Sequence, residues 1–292
     1  MKSNHDGQQH SLKLFEGERA LITTGCIGFI LSIIIAIYIY FQGAIVLPEG
    51  NMENAFSFNA AIGIFILSIA AIMPLAKFNN RTRKMIRWLL ISGTIYSYAI
   101  ETIQNFRGIN PRFSQAGSLV DGIAGIVFGI VSLSLVVLII ILTIQFFRLR
   151  PPHERPLLML GIRYAFVSAI MANAAGLWMI ILQSRFTGDA GNIIVLHGIG
   201  FHALQTLILP ALLIETAPVH DQFKRRLLHV GSIAWTIMIL LIGIQTGLGR
   251  DVFELSLLPI LGSVFLIVWV VTAFIAFTLF LKGLPTKQDQ AL

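Results

Sequence analysis

The chain has 292 residues, 56 % hydrophobic and only 12 % charged, with a mean hydropathy of +0.81. A charged share about half that of a soluble globular domain excludes a disordered chain, a fibrous repeat and a soluble nucleic-acid binder. The formal charge of +7 therefore needs a source other than a nucleic-acid partner, and a single cysteine, Cys26, excludes an internal disulfide.

Residues 1–19 form a polar lead. The apolar run behind it is too long for the core of a signal peptide, and no small-residue cleavage site follows, so the first span is expected to stay as an anchor. A spanning helix needs about 20 mostly apolar residues, because it rises about 1.5 Å per residue through a layer about 30 Å thick. Eight stretches meet that length: 20–48, 55–76, 88–105, 117–147, 157–183, 193–213, 228–247 and 256–281. The expectation is an all-α, polytopic membrane bundle over residues 20–281, with residues 282–292 as a tail.

The cations orient these spans. Lys2, Lys13 and Arg19 precede the first. Lys77, Arg81, Arg83, Lys84 and Arg87 follow the second, and Arg148, Arg150 and Arg155 the fourth. Lys224, Arg225 and Arg226 follow the sixth, and Lys282 and Lys287 the eighth. The alternate connections hold only Arg107, Arg112, Arg185 and Arg250, and Arg163 lies inside the fifth span. Sixteen against four, alternating loop by loop, is the positive-inside pattern. Both termini are expected to be cytoplasmic, and the basic balance is topology.

Spans one to four and five to eight, about 20–150 and 157–281, carry hints of one repeated unit. The third ends Ile103-Gln104 before NFRG, and the seventh Ile244-Gln245 before TGLGR. Pro74 and Pro210 sit near the cytoplasmic ends of the second and sixth, so all interruptions of the spans are expected near their ends.

Ionisable and amide groups inside a bilayer are expensive and default to functional candidates. The third span carries Glu101 and Gln104, the fourth begins with Asp121, and the sixth holds His197, His202 and Gln205. Asn59, Asn173 and Gln245 add amides. The topology puts nearly all of these in the outer half, as a polar site opening outward. On the sixth span, at 100° per residue, His202 and Gln205 are about 60° apart and His197 about 80° from Gln205 on the other side. Gly198 and Gly200 strip bulk from the same helix, so a neighbouring helix or a ligand can come close. The plainer alternative is that these imidazoles only bond neighbouring helices.

Several chemistries could use the set. Two histidines five apart on one helix cannot reach opposite faces of one haem iron, which leaves single-histidine haem. His197, His202 and Glu101 offer nitrogen and oxygen ligands to a metal, without a recognised ligand spacing. Proton-coupled transport, or a pocket for a quinone, another lipid or an isoprenoid, would use the same groups as hydrogen-bond partners. Glu101 and Asp121, at the depth of His197, are expected to pair with it. Arg107 and Arg112, outside against the overall bias, are expected to pair with Glu101 and Asp121 or to receive an anion, or simply to cap the turn.

ETIQNFRG with PRFS, and LHGIGFHALQ further on, resemble a bacterial family of multi-helix membrane proteins of unassigned activity. The resemblance falls on Glu101, Gln104, Arg107, Gly108, His197, His202, Ala203 and Gln205. It implies a multi-pass protein of the bacterial cytoplasmic membrane and brings no activity with it. Arg112 stands where such proteins have a loop histidine, which counts against a metal. The expected function is binding or transport of a small molecule or lipid at Glu101, Gln104, Arg107, Asp121, His197, His202 and Gln205. A metal- or haem-dependent membrane oxidoreductase is the alternative, and a packing or sensory scaffold the third.

Overall fold

A computed structural model describes residues 13–112 and 114–283. The rest of the expected lead and tail, with Lys2 and Lys287, lies outside the described residues. The described chain is built from helices. α1 (Arg19–Gln42) ends short of the expected Pro48, because β1 (Ile45–Val46) and β2 (Gly50–Asn51) form a hairpin there. The side chain of Asn51 then accepts from the Glu53 and Asn54 amides and starts α2 (Met52–Ile72), which tightens into a 3-10 turn at Met73–Ala76 around Pro74. α3 (Asn80–Phe106) is capped by Asn79, and α4 (Leu119–Arg148) by a reciprocal Ser118–Asp121 box. α5 (Pro156–Leu182) starts on a proline, whose missing amide proton has no partner to lose there. A second hairpin, β3 (Phe186–Thr187) with β4 (Gly191–Asn192), leads into α6 (Ile193–Thr206) and α7 (Ile208–Glu215). α8 (Asp221–Gly247) and α9 (Leu257–Lys282) complete the bundle.

Seven of these units are long and apolar enough to cross a membrane, α6 and α7 counting as one and α3 falling short. The reason is local: α3 starts eight residues earlier than the apolar pattern suggests, and its first turns carry Arg81, Arg83, Lys84 and Arg87. Arg83 and Arg87 each bond the carboxylate of Glu18 at 2.6 Å, and Glu18, at the foot of α1, is fully buried. At the other end of α3 the Asn105 side chain accepts from the Asn51 amide, and between them Asn59 donates to Thr102. α3 therefore lies against the start of α2 at one end and the foot of α1 at the other. In lipid such pairs are held by close packing and interhelical hydrogen bonds. α1 and α2 cross where a Cβ on Gly63 would stand 2.9 Å from the Gly25 carbonyl oxygen.

The hairpins and the helix ends seated on them share one geometry in the two halves, with matching residues 141 positions apart. Val46 faces Gly50 in the first hairpin as Thr187 faces Gly191 in the second. The Glu49 amide donates to the Gly108 carbonyl at 2.8 Å, and the Ala190 amide to the Gly249 carbonyl at 2.9 Å. α3 closes with Ile109 donating to Gln104, and α8 with Arg250 donating to Gln245. Gly108 and Gly249 both have φ of 73°. This left-handed conformation favours glycine, and it lets each helix end seat against its hairpin.

The sixth span does not run straight to its proline. It divides at Leu207, between α6 and α7. Pro210 has no amide proton, so the carbonyl four residues back, Thr206, loses its helical partner. The Trp269 indole N–H, from α9, donates to that oxygen at 3.2 Å. Trp269→Phe keeps most of the ring volume and orphans the carbonyl. The expected cost is about 1–3 kcal/mol, read as a lower thermal midpoint in detergent, whereas Trp178→Phe should change little.

Candidate functional site

The end of α3 and the start of α4, away from the basic loops, carry a network of ions and amides. Arg107, the C-cap of α3, donates to Asp121 at 2.6 Å and to the Gln104 side-chain oxygen at 2.9 Å. Gln104 donates in turn to Asp121 at 3.0 Å, and Ser118 gives Asp121 both its amide and its hydroxyl. Glu101 is fully buried and is reached by Arg112 at 2.7 Å, with Asn105 donating to its other oxygen. The Arg112 guanidinium also lies 5.3 Å from the Phe58 ring centroid and 5.4 Å from that of Phe128, a cation–π arrangement. Gly125 makes room for this: a Cβ there would stand 3.3 Å from the Arg112 carbonyl oxygen. Arg107 and Arg112 are thus paired with Asp121 and Glu101.

A residue the sequence reading passed over holds the same loop. Glu49, in the first hairpin, accepts from the Ser114 hydroxyl and from the amides of Asn110, Gln115 and Ala116. These donors, the Ser114 hydroxyl first, lower its pKa to about 2. The folded carboxyl binds its proton more weakly than the free one, so its stabilisation is full above about pH 4.5 and fades as pH falls towards 2. Thermal midpoints measured between pH 6 and 3 should fall more steeply for the wild type than for Glu49→Gln. Parallel curves would remove Glu49 as the loop's clamp.

The sixth span forms a second group. His197 donates from Nδ1 to the Ala172 carbonyl of α5 at 2.8 Å, and its ring meets Phe201 edge-on. The carboxylates expected beside it are bound to arginines instead. Gly200 packs on Ala172, but nothing lies within 4 Å of a Cβ built on Gly198. His202, one turn on, is exposed, its Nδ1 3.2 Å from the Gln205 side-chain oxygen. Gln205 then donates to Ser68 of α2. A row of polar groups thus runs from the bare flank of α6 to the contact between the halves.

Of the remaining amides, Asn173 is buried on α5, and Gln245 binds the α8–α9 loop through Asp251, Glu254 and Ser256. Among the described residues no three His, Cys, Asp or Glu side chains are gathered to hold a metal ion. The expected trio of His197, His202 and Glu101 is divided. Arg112 and Asn105 take the oxygens of Glu101, and a main-chain carbonyl takes the Nδ1 proton of His197. Arg163, inside α5, donates to the Phe146 and Leu149 carbonyls, where the negative end of the α4 dipole balances it. No family model matches the chain, and neither does any curated protein or solved structure.

Proposed function

We propose that this is an eight-span protein of the bacterial cytoplasmic membrane, both ends on the basic side, that binds or carries a lipid-soluble small molecule along the α6 flank. The carrying observation is an exposed histidine, His202, inside a span, beside a glycine with nothing against it. A polar group on a lipid-facing surface is costly without a partner. His202 keeps Nε2 for one, and Gln205 and Ser68 back its other nitrogen. An amphiphile whose head bears a carbonyl or hydroxyl, such as a quinone or an isoprenoid alcohol, fits that need. A small hollow beside Thr206, one turn further on, adds the apolar walls of Leu207, Leu227 and Leu228. The outer ion network belongs to this reading as the closed end of the site, with Glu101 and Asp121 holding the α3–α4 loop shut.

The hydrogen bonds that tie α3 to the start of α2 support counting it as an eighth span, and the shared hairpin and helix-end geometry supports descent of the halves from one four-helix unit. Reporter fusions at Asn51 and Gly188 should then read outside, and those at Asn79, Pro152 and Asp221 inside. The binding reading is tested with a short-chain benzoquinone titrated into purified protein and followed by quenching of Trp269. Saturable quenching that is lost in His202→Ala supports it, and quenching indifferent to that substitution overturns it. The absorption spectrum and metal content of the same preparation decide the alternative, since a Soret band or one metal per chain would favour the oxidoreductase.

A further inference from the structure

On the basic side, where the α4–α5 connection joins the halves, a recess opens to solvent. Its rim carries Lys77, Arg150, His153, Glu154 and Arg155, and its floor the apolar side chains of Leu75 and Met159. Lys77 is the left-handed C-cap of the 3-10 turn that ends α2. The acids nearby are already engaged, Glu154 with Lys77 at 3.3 Å and Glu215 with Arg155. Arg163 stands behind, 3.4 Å from His153 Nε2, and its other bonds go to main-chain carbonyls. Arg150 is exposed at the mouth. Four permanent cations thus meet two carboxylates.

We propose that this recess binds a phosphate group, carried by an anionic phospholipid or free in solution. The cationic rim would hold the phosphate oxygens, and Arg150 and Arg155 offer the fork geometry that suits them. The apolar floor suits the first carbons of a lipid at the membrane edge. His153 fits the same picture: burial, then Arg163 and Lys77, hold its pKa below the usual value, and an anion would relieve the repulsion from both cations.

The test uses the full chain in mixed micelles and reads thermal unfolding. Phosphatidylglycerol micelles should raise the midpoint by several degrees over phosphatidylcholine micelles, and Arg150→Gln should remove at least half of that shift. Arg226→Gln, an exposed cation in the first turns of α8, should leave the shift intact. Inorganic phosphate at millimolar concentration, in phosphatidylcholine, separates the sources. A shift there, sensitive to Arg150→Gln, assigns the free anion, and its absence beside a lipid effect assigns the headgroup. The proposal is overturned if neither probe shifts the midpoint, or if the two arginine substitutions act alike. His202 plays no part in this site, so the quinone titration stands or fails separately.

Discussion

Gly108→Ala should remove the native fold of the first half, at a cost of about 3 kcal/mol or more. Its φ of 73° already charges any other L-residue about 1–2 kcal/mol. The larger part is steric. A Cβ at this position would overlap the Leu47 carbonyl oxygen, which is main chain and has no rotamer to escape by. Relief requires the hairpin to move, and the hairpin carries both the Glu49 amide bond to Gly108 and the Asn51 cap of α2. Gly249→Ala should fail for the matching reason, since its Cβ would stand 2.7 Å from the Gly188 Cα. Gly129→Ala is the control, because nothing lies within 4 Å and alanine favours a helix interior by about 0.5–1 kcal/mol. Expression yield, monodispersity and thermal midpoint should separate the first two from the third. A Gly108→Ala protein that melts like wild type would show that the hairpin seat is not rigid.

Arg112→Ala should be nearly as severe by a different route. It strands a fully buried carboxylate, and breaking one side of a buried pair costs about 3–5 kcal/mol. Adding Glu101→Gln to that variant removes the stranded charge and should restore most of the loss, so the double substitution is far less damaging than the two effects added. Thermal midpoints of the four proteins close the cycle. Additive losses would mean that Arg112 acts through its contacts with Phe58 and Phe128 and not through the carboxylate.

Composition and charge made the membrane bundle legible, because a long apolar run is a property of consecutive residues. The matching Gln104 and Gln245 turns were also legible, as was the pairing of Arg107 and Arg112 with carboxylates. The true length of α3 was hidden because Arg81–Arg87 lower its hydropathy while pairing with Glu18, an acid far away in sequence. The division at Leu207 was hidden because a proline acts four residues upstream, and only the distant Trp269 reveals which carbonyl it freed. The hairpins are two residues per strand, too short for any alternation to register. The partners of the polar residues depend on which helices touch, so the seating of His197 on the Ala172 carbonyl and of Gln205 on Ser68 could not be read from their depths.

Each hairpin is bolted to the end of a helix in its own half, the first to α3 and the second to α8. Across the halves the hairpin face is joined more thinly, by Arg185 donating to Asn54 at 3.3 Å on the surface and, deeper, by Phe65 against Phe201. That face is therefore two plates meeting along a line, each stiff within itself. Any displacement that leaves the glycine seats intact has to travel along that line. It would slide α2 past α6, which puts Ser68 and Gln205 where the slip would first be felt.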